Sequence, residues 1–310
     1  MVVFVNGLAA GGSGLARWRK VQPALSRRFT DLRVCVMNGS ESTRRTIERE
    51  VCAGETRFIA AGGDGTVNFL ANSLIEVASA DQRPGICLGA VGIGSSNDFH
   101  KPLGEKVSVE GIPMAVDFEH ARERDVGRLT CVDQREERRR YFLVNASIGV
   151  TANANAIFNS SDATLAVLKR WCTGGAILYA ALQAIARHQD IPVTIESQGA
   201  PGRGVHLSNL GVVKNPWFSG NLCYGGRPDY QDGLFGVHLC HSMKGGELLQ
   251  LLGTLQRGGV PGHNRKIATW KTPAITVSCP RPFAVECDGE IVTTMCARFE
   301  VVPRYLRVCP

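Results

Sequence analysis

Several things are missing from this chain, and each absence narrows what it can be. No stretch reaches the ~18 uninterrupted apolar residues of a membrane span; the longest candidate, Ala176–Ala186, is shorter and carries Gln183. The apolar start, Met1–Gly12, lacks a basic leading region and meets Asn6 early, so it reads as a strand rather than a signal peptide. Its 11 cysteines are odd in number and form no Cys-x-x-Cys pair, which argues against a disulfide framework and against a zinc knuckle. Most fit buried small hydrophobes in a reducing compartment. A dense basic patch is missing too: the run Arg135–Arg140 is interleaved with Glu136 and Glu137 and reads as a solvated hairpin tip. The expectation is a cytoplasmic protein with no nucleic-acid partner.

What is present suits an ordinary globular protein. The 310 residues leave room for two domains, each with its own core. A net charge of +7 fits an anionic substrate or an acidic membrane surface.

The most informative stretch is Phe58–Ala71, where an apolar strand breaks into Gly62-Gly63-Asp64-Gly65-Thr66 and resumes as a helix near Thr66. Adjacent glycines let an anion approach the backbone, Gly65 can take φ > 0, and a helix start adds unpaired amides and a positive dipole end. Asp64 inside such a pocket calls for Mg²⁺ or for a nucleophile to position. The same five residues also fit a plain strand-to-helix turn with an Asp cap.

In order, Val2–Val5 reads as a strand, followed by a glycine loop and a helix over Leu15–Phe29. Leu32–Met37 and Gly85–Ala90 are further strands, and Ser42–Cys52 is a polar helix. The last of these strands also runs into a glycine-bearing loop, Gly92–Phe99. This alternation predicts a mainly parallel sheet flanked by helices, with a ligand site at the loops leaving the strands. Beyond it come strand-like runs at Ala115–Phe118, Arg124–Val132, Tyr141–Ser147, Pro192–Glu196, Gly204–Leu207, Leu210–Lys214, Leu234–His238, Ala274–Ser278, Phe283–Cys287, Glu290–Thr294 and Ala297–Val302. A helical insertion over Ala163–His188, broken at Gly174-Gly175, and a helix over Glu247–Gln256 interrupt them. Short strands at this spacing predict an antiparallel sandwich. The expected domains are 1–122, α/β, and 123–310, all-β, with the last residues packing back on the first.

Five motifs in order carry a family resemblance: Asn6 with its glycine loop, Gly62–Thr66, Gly94–Phe99, Asp232-Gly233-Leu234 and Asp288-Gly289-Glu290. Over nearly the whole chain this resembles the diacylglycerol kinase catalytic-domain family, which includes bacterial lipid kinases, sphingosine kinases and ceramide kinases. The resemblance implies an NAD kinase-like α/β domain, a β-sandwich and an active site in the interdomain cleft. The implied reaction moves the ATP γ-phosphoryl group to the hydroxyl of diacylglycerol, a sphingoid base or ceramide. Asp64, Asp98 and Asp125 then form a charge network, with Asp288 as general base. Asn6, Gly62, Gly63, Gly65, Thr66, Gly94, Ser95, Asn97 and Glu290 are the nucleotide-binding candidates. A structural Mg²⁺ is implied at Asp229, Asp232 and the Leu234 carbonyl. Expected partners are ATP, Mg²⁺ and a lipid at a membrane surface, with peripheral membrane association; a homodimer stays open.

The bare residues keep other readings. Asp288-Gly289 is a hairpin-turn signal, Asp98 a local cap, Asp125 a strand-end acid and Asp232-Gly233 a turn. Gly7 stands where the family has Pro, Gly92–Ser95 where it has Pro-x-Gly-Thr, and Phe69 where an acid is common. These departures bear on nucleotide affinity and substrate class. A metabolite kinase of the NAD kinase sort, or a binding protein without catalysis, are the alternatives.

Overall fold

Four short apolar runs, each released into a polar or glycine-bearing loop, build the first part of the protein. The structure is a computed structural model that describes residues 1–101, 107–133, 136–160, 162–171, 173–197, 201–259 and 265–310. By internal contacts it divides into two units, Met1–Asp125 with Pro303–Pro310, and Val126–Val302.

In the first unit β1 (Val2–Val5) leads through α1, a kinked turn at Ala9–Gly12, into α2 (Gly14–Arg28). Then follow β2 (Arg33–Val36), α3 (Ser40–Cys52), β3 (Arg57–Gly62), α4 (Asp64–Val77), β4 (Cys87–Gly92), β5 (Ser108–Val109) and β6 (Ile112–Ala115). β1 pairs in parallel with β2 on one side and β3 on the other, and β3 pairs in parallel with β4. Every residue of β1 and β4 is buried, as for strands covered on both faces. Trp18, Val21 and Leu25 of α2 pack with Val3, Val5, Ile59 and Ala61. Arg307 and Val308, at the end of the chain, add in parallel beside Cys87 and Leu88 of β4. The strand expected at Ala115–Phe118 sits earlier, at Ile112–Ala115, where it pairs antiparallel with β4.

The second unit contains most of β7 (Arg122–Asp133), then β8 (Glu136–Phe142), β9 (Asn145–Gly149), α5 (Val150–Asn159), α6 (Ala163–Trp171), α7 (Thr173–Ala186), β10 (Ile191–Ser197) and β11 (Arg203–Val213). It continues with β12 (Trp217–Phe218), β13 (Leu222–Cys223), β14 (Phe235–His241), α8 (Gly245–Gln256), β15 (Ile267–Thr272), β16 (Ala274–Cys287) and the long β17 (Glu290–Val308), whose last residues belong to the first unit. Pairings here are antiparallel: β15 with β14, β14 with β11, and β16 with β17. β9 and β10 lie end to end between β11 and β16. Phe142 stacks on Phe235 at 5.5 Å and meets Phe299 edge-on at 6.4 Å, amid Leu129, Ile148, Val212 and Val285.

Three expectations change. The run Tyr141–Ser147 is not one strand, because Leu143 and Val144 give their N–H groups to the Asp288 carboxylate instead of a ladder. The insertion over Ala163–His188 holds two helices, α6 and α7, preceded by α5, and α7 runs through Gly174-Gly175 unbroken. Both glycines sit in its first turn, where glycine costs the helix less than in its interior. The paired runs in β11, β16 and β17 are continuous strands; Ser208 marks a register shift in β11. Of the expected hairpin tip, residues 134–135 lie outside the described residues, while Arg138, Arg139 and Arg140 are exposed on β8.

Candidate functional site

In the first unit the glycine loops that follow β3 and β4 lie backbone against backbone. A Cβ on Gly94 would fall 2.2 Å from Gly63 Cα, and one on Gly62 would fall 2.1 Å from Thr66 Oγ1. Gly94 N–H also donates to Gly62 O at 3.1 Å. Only glycine tolerates such approaches. Gly65 needs no left-handed conformation, contrary to expectation: it is exposed in the first turn of α4, which starts at Asp64 rather than Thr66. The left-handed residue here is Asn97, φ 51°.

Side chains brace the two loops. Asn6 Nδ2 donates to Thr66 Oγ1 at 3.0 Å, while its Oδ1 accepts the Leu8 N–H at 3.0 Å. Asn97 Nδ2 donates to Gly92 O at 2.9 Å and Gly94 O at 3.1 Å, and its buried Oδ1 has no hydrogen-bond partner among the described residues. Arg17 on α2 donates to Gly94 O at 2.7 Å. Ser95 is exposed beside it.

Two acids of this unit lie at the Phe99 backbone, and the third lies elsewhere along the chain. Asp64, at the positive end of α4, accepts the Phe99 N–H at 2.8 Å. Asp98 is buried and pairs with Lys101 Nζ at 2.5 Å. Asp125, 1% exposed, accepts the Arg304 N–H at 3.0 Å, and its neighbour Arg124 lies 5.8 Å from the Phe99 ring centre. Asp125 thus anchors the returning end of the chain.

In the second unit Asp288 and Gly289 form the two-residue turn between β16 and β17, with φ 45° and 93°, the signature of a primed hairpin. The buried carboxylate of Asp288 accepts three backbone N–H groups, from Leu143 at 2.8 Å, Val144 at 3.1 Å and Asn145 at 2.9 Å. Glu286, also buried, accepts the Ser147 hydroxyl and the Gly289 N–H, both at 2.7 Å. Burial raises the Cys287 thiol pKa well above its usual value, and the flanking Asp288 and Glu286 charges add to it. Glu290 is exposed at the first position of β17.

Asp229, Asp232 and Leu234 do converge, on Lys214 Nζ. The ammonium donates to Asp229 O at 2.9 Å, Asp232 Oδ1 at 3.0 Å and Leu234 O at 3.0 Å. Burial would raise the Asp232 carboxyl, but Lys271, Lys214 and the Leu234 N–H outweigh it and hold the group below its ordinary range. An ammonium already at the centre of the oxygens does not fit the divalent ion expected there.

Sequence reasoning passed over Arg17, Lys101, Glu286 and Lys214. The spacing Asp98-x-x-Lys101 was a usable signal, and so was a lysine directly after the apolar run Leu210–Val213. For Arg17 the sequence holds no signal, since its partner is a backbone carbonyl 77 residues away.

The comparisons assign a class to this arrangement. Residues 1–129 match the diacylglycerol kinase catalytic domain, and residues 145–310 match the YegS C-terminal NAD kinase beta sandwich-like domain. The chain belongs to this kinase family. It is 28% identical, over 90% of its length and 85% of the relative's, to a probable lipid kinase YegS-like of Pseudomonas fluorescens. With one of the same description from Yersinia enterocolitica it shares 25% identity, over 99% and 95%. A crystal structure of a diacylglycerol kinase from Bacillus anthracis strain Sterne has the same fold, with TM-score 0.70 at 17% identity, over 99% of this chain and 95% of that one. Among the described residues no helix is long and apolar enough to cross a membrane.

Proposed function

We propose that this kinase transfers the ATP γ-phosphoryl group to the hydroxyl of diacylglycerol or a related lipid such as a sphingoid base or ceramide. The observation that carries the reading is the pair of abutting glycine loops at the start of α4, with Asp64 bonded to the Phe99 N–H and Asp98 next to it in the chain. Phosphoryl transfer is mainly positioning and charge neutralisation. The α4 start offers amide donors to phosphate, and Arg17 fixes the neighbouring loop through Gly94 O. Asn97 Oδ1, an acceptor fixed in place by its own amide, suits an amino or hydroxyl donor of the nucleotide.

The hard-oxygen donor that suits Mg²⁺ is Asp64, since Asp98 already carries the Lys101 ammonium, and the ion, when bound, would offset phosphate charge. Asp288 is assigned to the proton of the acceptor hydroxyl in this reading. The β-sandwich unit takes the lipid, at a membrane surface, through the α7 face that exposes Leu178 and Leu182.

The test is radiolabelled phosphate transfer from ATP to diacylglycerol, sphingosine and ceramide in mixed micelles. Transfer to one of them is expected. A folded, ATP-binding protein that labels none of the three would overturn the lipid reading, and labelling of NAD instead would establish the metabolite kinase.

A further inference from the structure

Lys214 follows four apolar residues of β11, and its side chain is 1% exposed. Burying an ammonium is costly unless each of its N–H groups finds an acceptor. An ammonium has three donors, and the turn over residues 229–234 presents three oxygens to it: two carbonyls and one carboxylate. One carboxylate oxygen and two carbonyls within six residues is a donor set typical of a hard metal ion. Here its centre is taken, since ammonium and metal cannot share it.

Charge points the same way. Asp232 Oδ2 also binds Lys271 Nζ at 2.8 Å, so this carboxylate carries two ammonium partners. Asp229 supplies a second carboxylate, turned to the Gln231 N–H at 2.9 Å. Two negative and two positive charges balance, leaving no excess negative charge to draw in a divalent ion.

Lys214 also reaches the other way. Its backbone N–H and that of Asn215 both donate to Val144 O, at 3.0 and 2.9 Å, and Val144 N–H donates to Asp288 Oδ1. One residue therefore grips the 229–234 turn with its side chain and the Asp288-binding segment with its backbone.

We propose that Lys214 is a built-in structural cation: its ammonium stands in place of a divalent metal at the 229–234 turn and positions the segment 143–145 that holds Asp288. The second unit then keeps its stability without metal.

Thermal melts of the full chain without nucleotide or lipid test this, so the outcome is independent of the lipid-kinase reading. Wild type, Lys214→Met and Asp232→Asn are each melted in EDTA and in millimolar Mg²⁺ or Ca²⁺. Any metal shift of the wild-type midpoint should be the same, within about 1 °C, in Asp232→Asn, because a ligand that does not bind at the turn cannot shift the midpoint through it. Breaking a buried ion pair should lower the midpoint of each variant by roughly 5–15 °C, equally in EDTA and in metal. Should Lys214→Met not fold, the wild-type and Asp232→Asn melts still decide. A wild-type midpoint that falls in EDTA, with the fall abolished by Asp232→Asn, overturns the proposal. So does a Lys214→Met protein with the wild-type midpoint. A metal shift that persists in Asp232→Asn arises elsewhere and leaves the ammonium in place as the turn's cation.

Discussion

Gly94 has no room for a single methyl group, and the atom in its way is backbone. Gly63 Cα cannot rotate aside as a side chain could, so Gly94→Ala must separate the two loops by more than an ångström. Overpacking of this kind costs about 1–3 kcal/mol of stability. It should also displace Asn97 Oδ1, which lies 2.9 Å from the same added Cβ. The expected result is ATP affinity at least about tenfold weaker by calorimetry, a change of ~1.4 kcal/mol. Ser95→Ala, exposed on the same loop, should stay within about 0.5 kcal/mol of wild-type stability. Equal ATP affinity of Gly94→Ala and wild type would show that the abutment does not serve the nucleotide. At Asp288 the question is base against brace. A carboxylate has about four lone-pair sites, and three backbone amides already use three of them. Asp288→Asn puts an amide where those donors point and should cost about 1–3 kcal/mol in unfolding. Loss of a general base lowers kcat by about 10²–10⁴-fold and removes the acidic limb of its pH profile. A variant that loses rate yet retains that limb assigns Asp288 to bracing alone.

At the level of elements, β14 carries a pH-sensitive position in its middle. His238 is buried, stacked on Tyr224 at 4.2 Å and 3.2 Å from Thr269 Oγ1. Burial lowers its pKa from 6.5 to about 4. Below 6.5 the unfolded chain binds a proton that the folded chain refuses, so stability declines from pH 6.5 down to about 4 and then levels. The contribution lost between pH 7 and pH 5 is about 2 kcal/mol, a window above the carboxylates that are pulled downward, such as Asp232 and Glu247. Urea midpoints at the two pH values should therefore move apart less in His238→Gln than in wild type; equal separations would refute the assignment. The same scale separates what sequence could and could not disclose. Val2–Val5 was legible as a strand to the residue, and the helix before Cys52 to within two, because apolar period and loop glycines are local signals. The break at Leu143-Val144 was not legible, since its cause is a carboxylate 144 residues later in the chain. Likewise β15, Ile267–Thr272, shows only weak alternation, with Thr269 and Lys271 outward, and pairing with β14 rather than propensity defines it. The acids of the candidate site were legible as motif members. Their cationic partners left weaker marks: Asp98-x-x-Lys101 is a local spacing and Lys214 ends an apolar run, but which oxygens each lysine meets is set by the fold.

For the whole molecule, the proposed lipid substrate calls for a surface that can meet a membrane, and no described helix is long and apolar enough to span one. The segment over α6 and α7 serves two ends at once. Leu165, Ala176 and Ala180 are buried in its own small core, while Val167, Leu178 and Leu182 stay exposed at 57%, 40% and 43%. Leu178 and Leu182 are four residues apart and so share a face of α7. Arg187, exposed just past the helix end, adds charge that anionic headgroups attract by about 1 kcal/mol near the surface. Burying the exposed part of both leucines in a bilayer contributes roughly 1–2 kcal/mol, about tenfold in partitioning, and an aspartate in each place adds a charge that the bilayer rejects. Leu178→Asp/Leu182→Asp should therefore abolish most sedimentation with vesicles containing anionic phospholipid, while the melting midpoint stays close to wild type because neither leucine is core. Phosphate transfer to a short-chain, water-soluble lipid should persist in the double variant, separating docking from chemistry. Unchanged vesicle binding by a folded double variant would remove this face from membrane attachment.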